Sequence, residues 1–169
     1  MSKTLDLEDR SEDVLYVLGL VVPRARELYE GMEDFEAPFL QERLEVSGEI
    51  TDSNLYDVAF EEFKKYASLS VSSRQPLGMT SPEVDSVWHQ FILFTKAYEA
   101  FCNDNLDGTF LHHSPYIVGE SEKTISEHAR NMNLAYGAVF GEAPSIWGNF
   151  EASTSPCDGC SSSDGGCSS

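Results

Sequence analysis

The sequence predicts an all-α fold: a compact, single-domain helical bundle of about five helices with a disordered C-terminal tail. Three observations carry that expectation. Apolar residues recur at three- and four-residue steps, little of the chain alternates with period two, and serines able to cap helices stand at Ser81 and Ser121. At 169 residues the chain has room for one domain and buries about two-thirds of its unfolded surface.

The longest apolar run is VLYVLGLVV, residues 14–22. It follows an acidic LDLEDRSED rather than the basic start of a secretory signal, so it reads as a buried helix of a protein made in the cytoplasm. Pro23 then starts or kinks PRARELYEGME, and residues 38–46 form a short acidic segment. After the turn signal SGEITDSN, the stretch LYDVAFEEFKKYASL places Leu55, Val58, Ala59, Phe63 and Tyr66 on one helical face. Asp57, Glu61, Glu62, Lys64 and Lys65 fall mostly outside it.

A polar loop, SVSSRQPLGMTSP, leads to the next start signal: Ser81 as N-cap, Pro82 in the first turn, Glu83 behind it. Residues 84–103 read as the longest helix, about five turns. Residues 103–108 break it, and FLHHSPY is a short connector. The last helix opens at Ser121 and closes at Gly141. The domain is expected to end at residues 147–150. The organisation is therefore an acidic N-terminal helical segment over residues 1–50, a helical core domain over 51–150 and a disordered Ser/Gly/Cys-rich tail over 151–169.

Charge limits the partners. With 11 basic and 29 acidic residues the net charge is -18, which repels phosphate backbones, so nucleic acid is not an expected partner. Residues 1–62 hold 17 acidic and 5 basic groups, and a basic protein surface is the expected docking partner there. A solvated acidic face is the plain reading of this excess, and DNA mimicry the sharper one. No window approaches the roughly 18 apolar residues of a membrane span.

Chemistry concentrates between Asp85 and His113. Asp85 and His89 are four residues apart, about 40° round one helix face, a spacing that suits a carboxylate orienting an imidazole or two ligands on one metal. Cys102 lies about 220° round from His89 and reads as a buried apolar thiol. His112 and His113 sit in an extended connector where neighbouring side chains point opposite ways, so one of them is expected to face the pair. A His, His, Asp set suits zinc or ferrous iron. The competing reading is hydrogen-bonded core histidines. His128 reads as a surface histidine. Trp88, Phe91, Phe94, Tyr98 and Phe101 step at core spacing, to pack on Tyr136, Phe140 and Trp147. There is no Gly-rich phosphate loop, nucleophile elbow or H-E-x-x-H motif.

VDSVWHQFILFTKAYEAFC, then GTFLHHSP, then LAYGAVFGEAPSIWG resembles a family of small bacterial and phage-associated proteins related to the glycine-rich domain-containing proteins. The shared pattern is V-D-x-x-W-H, an aromatic and Cys helix end, F-x-H-H-x-P and a closing F-G-x-x-P-x-x-W. It covers residues 55–147, leaving the first fifty or so outside. The resemblance implies a compact helical domain with Asp85, His89, His112 and His113 as its functional positions, and brings no reaction with it.

In the tail, Cys157 and Cys160 form one C-D-G-C knuckle with Cys167 beyond, short of the four ligands of a structural zinc site. The functional expectation is a soluble binding or accessory module with a divalent metal on Asp85, His89, His112 and His113. Two alternatives are a metal-dependent enzyme on the same residues, and a precursor or interaction protein whose tail is modified.

Overall fold

The computed structural model describes residues 16–113 and 121–148. Among them are six α-helices and one 3-10 turn: α1 Val22–Gly31, α2 Pro38–Ser47, α3 Ser53–Ser72, α4 Pro82–Leu93, α5 Thr95–Asn105, α6 Glu122–Phe140, and the turn Ser145–Trp147. No strand occurs among the described residues. The fold class is thus all-α, with more helices than the five expected.

Local chemistry explains the starts. The Asp52 carboxylate caps α3 by accepting the Asn54 and Leu55 amides. Ser81 and Ser121 accept the amides of Val84 and Thr124 three residues on, satisfying donors that the helix itself leaves unpaired. Pro23, Pro38 and Pro82 stand in first turns, where their missing N–H is no loss.

The long α3 packs against α1 and α4, α4 also meets α2 and α5, and α6 lies on α1. One hydrophobic core joins all of them, from Leu18 to Trp147. At its centre Phe63 is fully buried, with Phe60, Trp88, Phe91 and Phe101 rings at 5.8–6.3 Å. Burying one such side chain contributes about 1.5–3 kcal/mol.

Three expectations change. The run at residues 14–22 is not one buried helix: among its described residues the helical turn ends at Leu18, Gly19 takes φ +57°, and Tyr16 and Val17 are exposed. A Cβ at Gly19 would also press on the Arg74 side chain at 2.9 Å. The chain beyond Gly19 ties down the end of α3 instead. Val21 N–H donates to the Ser72 carbonyl, and Arg24 Nη1 to that of Val71, both at 3.0 Å. These carbonyls have no partner within α3.

The second change is on α3. Leu55 and Val58 are partly exposed, whereas Glu62 and Lys64 are buried. Glu62 Oε2 accepts from Tyr136 Oη at 2.9 Å and Trp147 Nε1 at 2.6 Å, and Oε1 from Lys65 Nζ at 2.7 Å. Lys65 Nζ also lies 5.7–5.9 Å from the rings of Tyr29, Tyr136 and Phe140. A charge on the core face is tolerated because every interaction it needs is supplied by the chain. Burial, reinforced by the Glu62 charge, pushes the Tyr136 hydroxyl far above its ordinary range.

Third, residues 84–103 are two helices. Phe94 leaves helical geometry with φ -85° and ψ 61°, and its ring sits 4.9 Å from Phe39. Between the aromatic stripe and the turn after the last helix stands Tyr66 of α3, 5.3 Å from Trp88 and 6.1 Å from Trp147. The tail and its cysteines, Val14, Leu15 and residues 149–150 lie outside the described residues.

Candidate metal centre

Three helix-borne or connector-borne groups converge at one end of α4. Ser81 fixes the first turn, and one turn on Asp85 and His89 project from the same face. His89 Nδ1 lies 2.9 Å from the Asp85 carbonyl and 3.2 Å from Oδ2. His113 arrives from the connector after α5, with Nε2 3.0 Å from Asp85 Oδ1. The two imidazole centroids are 4.1 Å apart, and one ligand atom from each residue lies within 4.8 Å of the others.

Burial is graded across the group. The His113 side chain is 12% exposed, that of Asp85 35% and that of His89 50%, so one side is walled by protein and the other faces water. The wall is Trp88, whose indole meets the His113 ring edge-on at 4.3 Å. His112 points elsewhere: it is exposed, with its ring 4.8 Å from Phe110. The structure therefore brings together Asp85, His89 and His113, and leaves His112 outside the group. Cys102, 1% exposed, is away from it as well, and burial pushes its thiol up despite the Leu111 backbone and Tyr98 hydroxyl beside it. His128 is half-buried on α6, its carbonyl accepting Gly78 N–H at 2.8 Å. A Cβ at Gly78 would stand 2.8 Å from the Ala129 nitrogen, so only glycine lets the loop before α4 come this close.

The break at Phe94 is what makes this geometry. Ten residues along a straight helix span about 15 Å, whereas Trp88 Nε1 donates to Tyr98 Oη at 2.9 Å. With α5 folded back on α4, Tyr98 in turn donates to the Leu111 carbonyl, and the connector is laid along the helix pair. Neither Tyr98 nor Leu111 carries a sequence signal for this role, because periodicity places them only as core and connector.

Asp85, His89 and His113 are a group that could hold a small divalent ion. A tetrahedral zinc about 2.0–2.1 Å from each ligand holds ligand atoms roughly 3.3 Å apart; here the ligand atoms of the three residues lie within 4.8 Å of one another, and the imidazole nitrogens stand 3.0 and 3.2 Å from different oxygens of Asp85, which is hydrogen-bond distance. Two imidazoles and one carboxylate suit zinc or ferrous iron better than magnesium or calcium, which favour all-oxygen sets. Binding requires a lone pair on each nitrogen facing the carboxylate, so an ion there displaces protons. Another cleft, lined by Arg24, Glu27, Asp104, Asn105 and Asp107, offers carboxylates but no imidazole, and its Arg24 is already paired with Asp107 at 3.3 Å.

No helix among the described residues is long and apolar enough to cross a membrane. Neither a curated protein nor a solved structure matches the chain. The family match runs over residues 30–136, so it spans the Asp85, His89 and His113 group, and it begins inside α1 rather than after the first fifty residues. The chain belongs to the UCP032817-like family.

Proposed function

We propose that this protein is a helical binding or accessory module that holds one zinc or ferrous ion on Asp85, His89 and His113. The observation that supports it most is convergence: a helix-spaced Asp/His pair meets a histidine 28 residues away from Asp85 at 3.0 Å. Core packing alone does not require that meeting, since the groups are partly exposed. His112 lies outside the ligand set. The exposed side of His89 leaves room for a fourth ligand, and that opening favours a second reading, metal-dependent catalysis with water at the open position.

The acidic surface, with net charge -18, supports a protein partner with a basic face over nucleic acid, and a cytoplasmic setting suits the reading. The V-D-x-x-W-H and F-x-H-H-x-P motifs support a kinship with glycine-rich domain-containing proteins. Elemental analysis of purified protein tests the site: one equivalent of zinc or iron is expected, and His89→Ala should lose it while the far-ultraviolet circular dichroism stays unchanged. Metal content unaltered by His89→Ala would refute the assignment.

A further inference from the structure

We propose that Tyr98 is the positioning residue that sets His113 against Asp85 and His89; the inference rests on the reading of those three residues as the ligand group. Tyr98 is 1% exposed, and its hydroxyl is used twice. It accepts from Trp88 Nε1 at 2.9 Å and donates to the Leu111 carbonyl. Leu111 precedes His113 by two residues, so pinning its carbonyl fixes the connector within about 7 Å of the imidazole-bearing backbone. The Phe110 ring packs edge-on against Tyr98 at 5.3 Å, holding the connector from a second point.

Trp88 closes the circuit. It lies between Asp85 and His89 on α4, and the indole that donates to Tyr98 also meets the His113 ring at 4.3 Å. Both the backbone and the ring of the connector histidine are thus referenced to one residue of the helix that carries the other two groups. A phenyl ring at position 98 would fill the same space without joining the two partners, leaving a buried indole N–H and a carbonyl unpaired.

Two other tyrosines do the same for other loops, which supplies a matched control. Tyr56 Oη donates to the Ala37 carbonyl at 2.9 Å and Tyr66 Oη to that of Leu77 at 3.1 Å. Removing the Tyr56 hydroxyl takes a buried phenol from a carbonyl, the donating half of what Tyr98 does, on a connector that does not lead to the histidines.

The experiment compares Tyr98→Phe with Tyr56→Phe by nitrogen-15 histidine NMR of metal-free protein and by zinc titration. Tyr98→Phe is expected to shift the His113 ring signals and to weaken zinc binding by at least about tenfold, as losses of supporting groups around metal sites do. Tyr56→Phe is expected to do neither. Unchanged His113 signals in Tyr98→Phe, or equal shifts in both variants, would overturn the positioning role. If the wild-type protein takes no zinc the ligand reading falls, and the metal-free His113 signals still decide the role of Tyr98. Should Tyr98→Phe fail to fold, the wild-type Tyr98 hydroxyl proton decides: slow exchange with a nuclear Overhauser contact to Leu111 supports the proposal, and rapid exchange overturns it.

Discussion

Two polar groups interrupt the aromatic core, and they are built differently. Around Glu62 both carboxylate oxygens are occupied by Lys65, Tyr136 and Trp147, and the carboxylate is 5% exposed. Around Asp85 both oxygens face imidazoles, but the carboxylate is 35% and His89 50% exposed. The first centre is closed, with its interactions completed by the chain, and ties α3 to α6 and the terminal 3-10 turn. The second is open on one side, as the proposed metal reading requires.

The largest effect that tests this contrast is at the closed centre. Glu62→Ala leaves Lys65 without its buried partner and should lower stability by about 3–5 kcal/mol, read as the urea midpoint, with metal content of the folded fraction unchanged. A loss below about 1 kcal/mol would place Glu62 among solvated charges and remove the distinction.

A smaller effect separates the centres from the other side. Ser81→Ala removes the cap of α4 and should cost about 1 kcal/mol. Because it loosens the turn that leads to Asp85, zinc affinity should fall with it, while the fluorescence of Trp147 in the closed centre stays as it was. Equal disturbance of both centres would show that they are not independent.

The smallest effect concerns the rim of the closed centre. Burial alone would raise the Glu61 carboxyl, but hydrogen bonds from Lys64 and Tyr29 outweigh it and hold the group below its ordinary 4.5. A depressed carboxylate contributes stability that is full above the unfolded value and disappears as pH falls through the folded one. Glu61→Gln should therefore lower stability slightly at neutral pH and flatten the loss on acidification below pH 4.5, so that the two proteins converge in acid, as followed by thermal melts across pH. An unchanged acid slope would detach Glu61 from the centre.

Much of the fold was legible because local rules decide it. Caps at Ser81 and Ser121, the stop at Gly141 and the Asp85/His89 spacing follow from hydrogen-bond chemistry within a few residues. The exceptions are equally specific. Periodicity carried the helix through Phe94, since Phe94 itself fits a helix; its departure is tied to packing on Phe39, a residue on α2. Glu62 and Lys64 looked like surface charges because their partners lie on α6, in the terminal turn and in the backbone after α1.

The sequence by itself determined the helical class, the helix starts and the pair Asp85 and His89, because each depends on neighbours within about one helical turn. Only the tertiary structure decided that His113 rather than His112 meets that pair, that Glu62 is interior, and that Tyr98 reaches Leu111. Those outcomes depend on how α5 folds back on α4 and how α6, lying on α1, brings Tyr136 to Glu62, contacts between groups far apart in sequence whose energies no local pattern encodes.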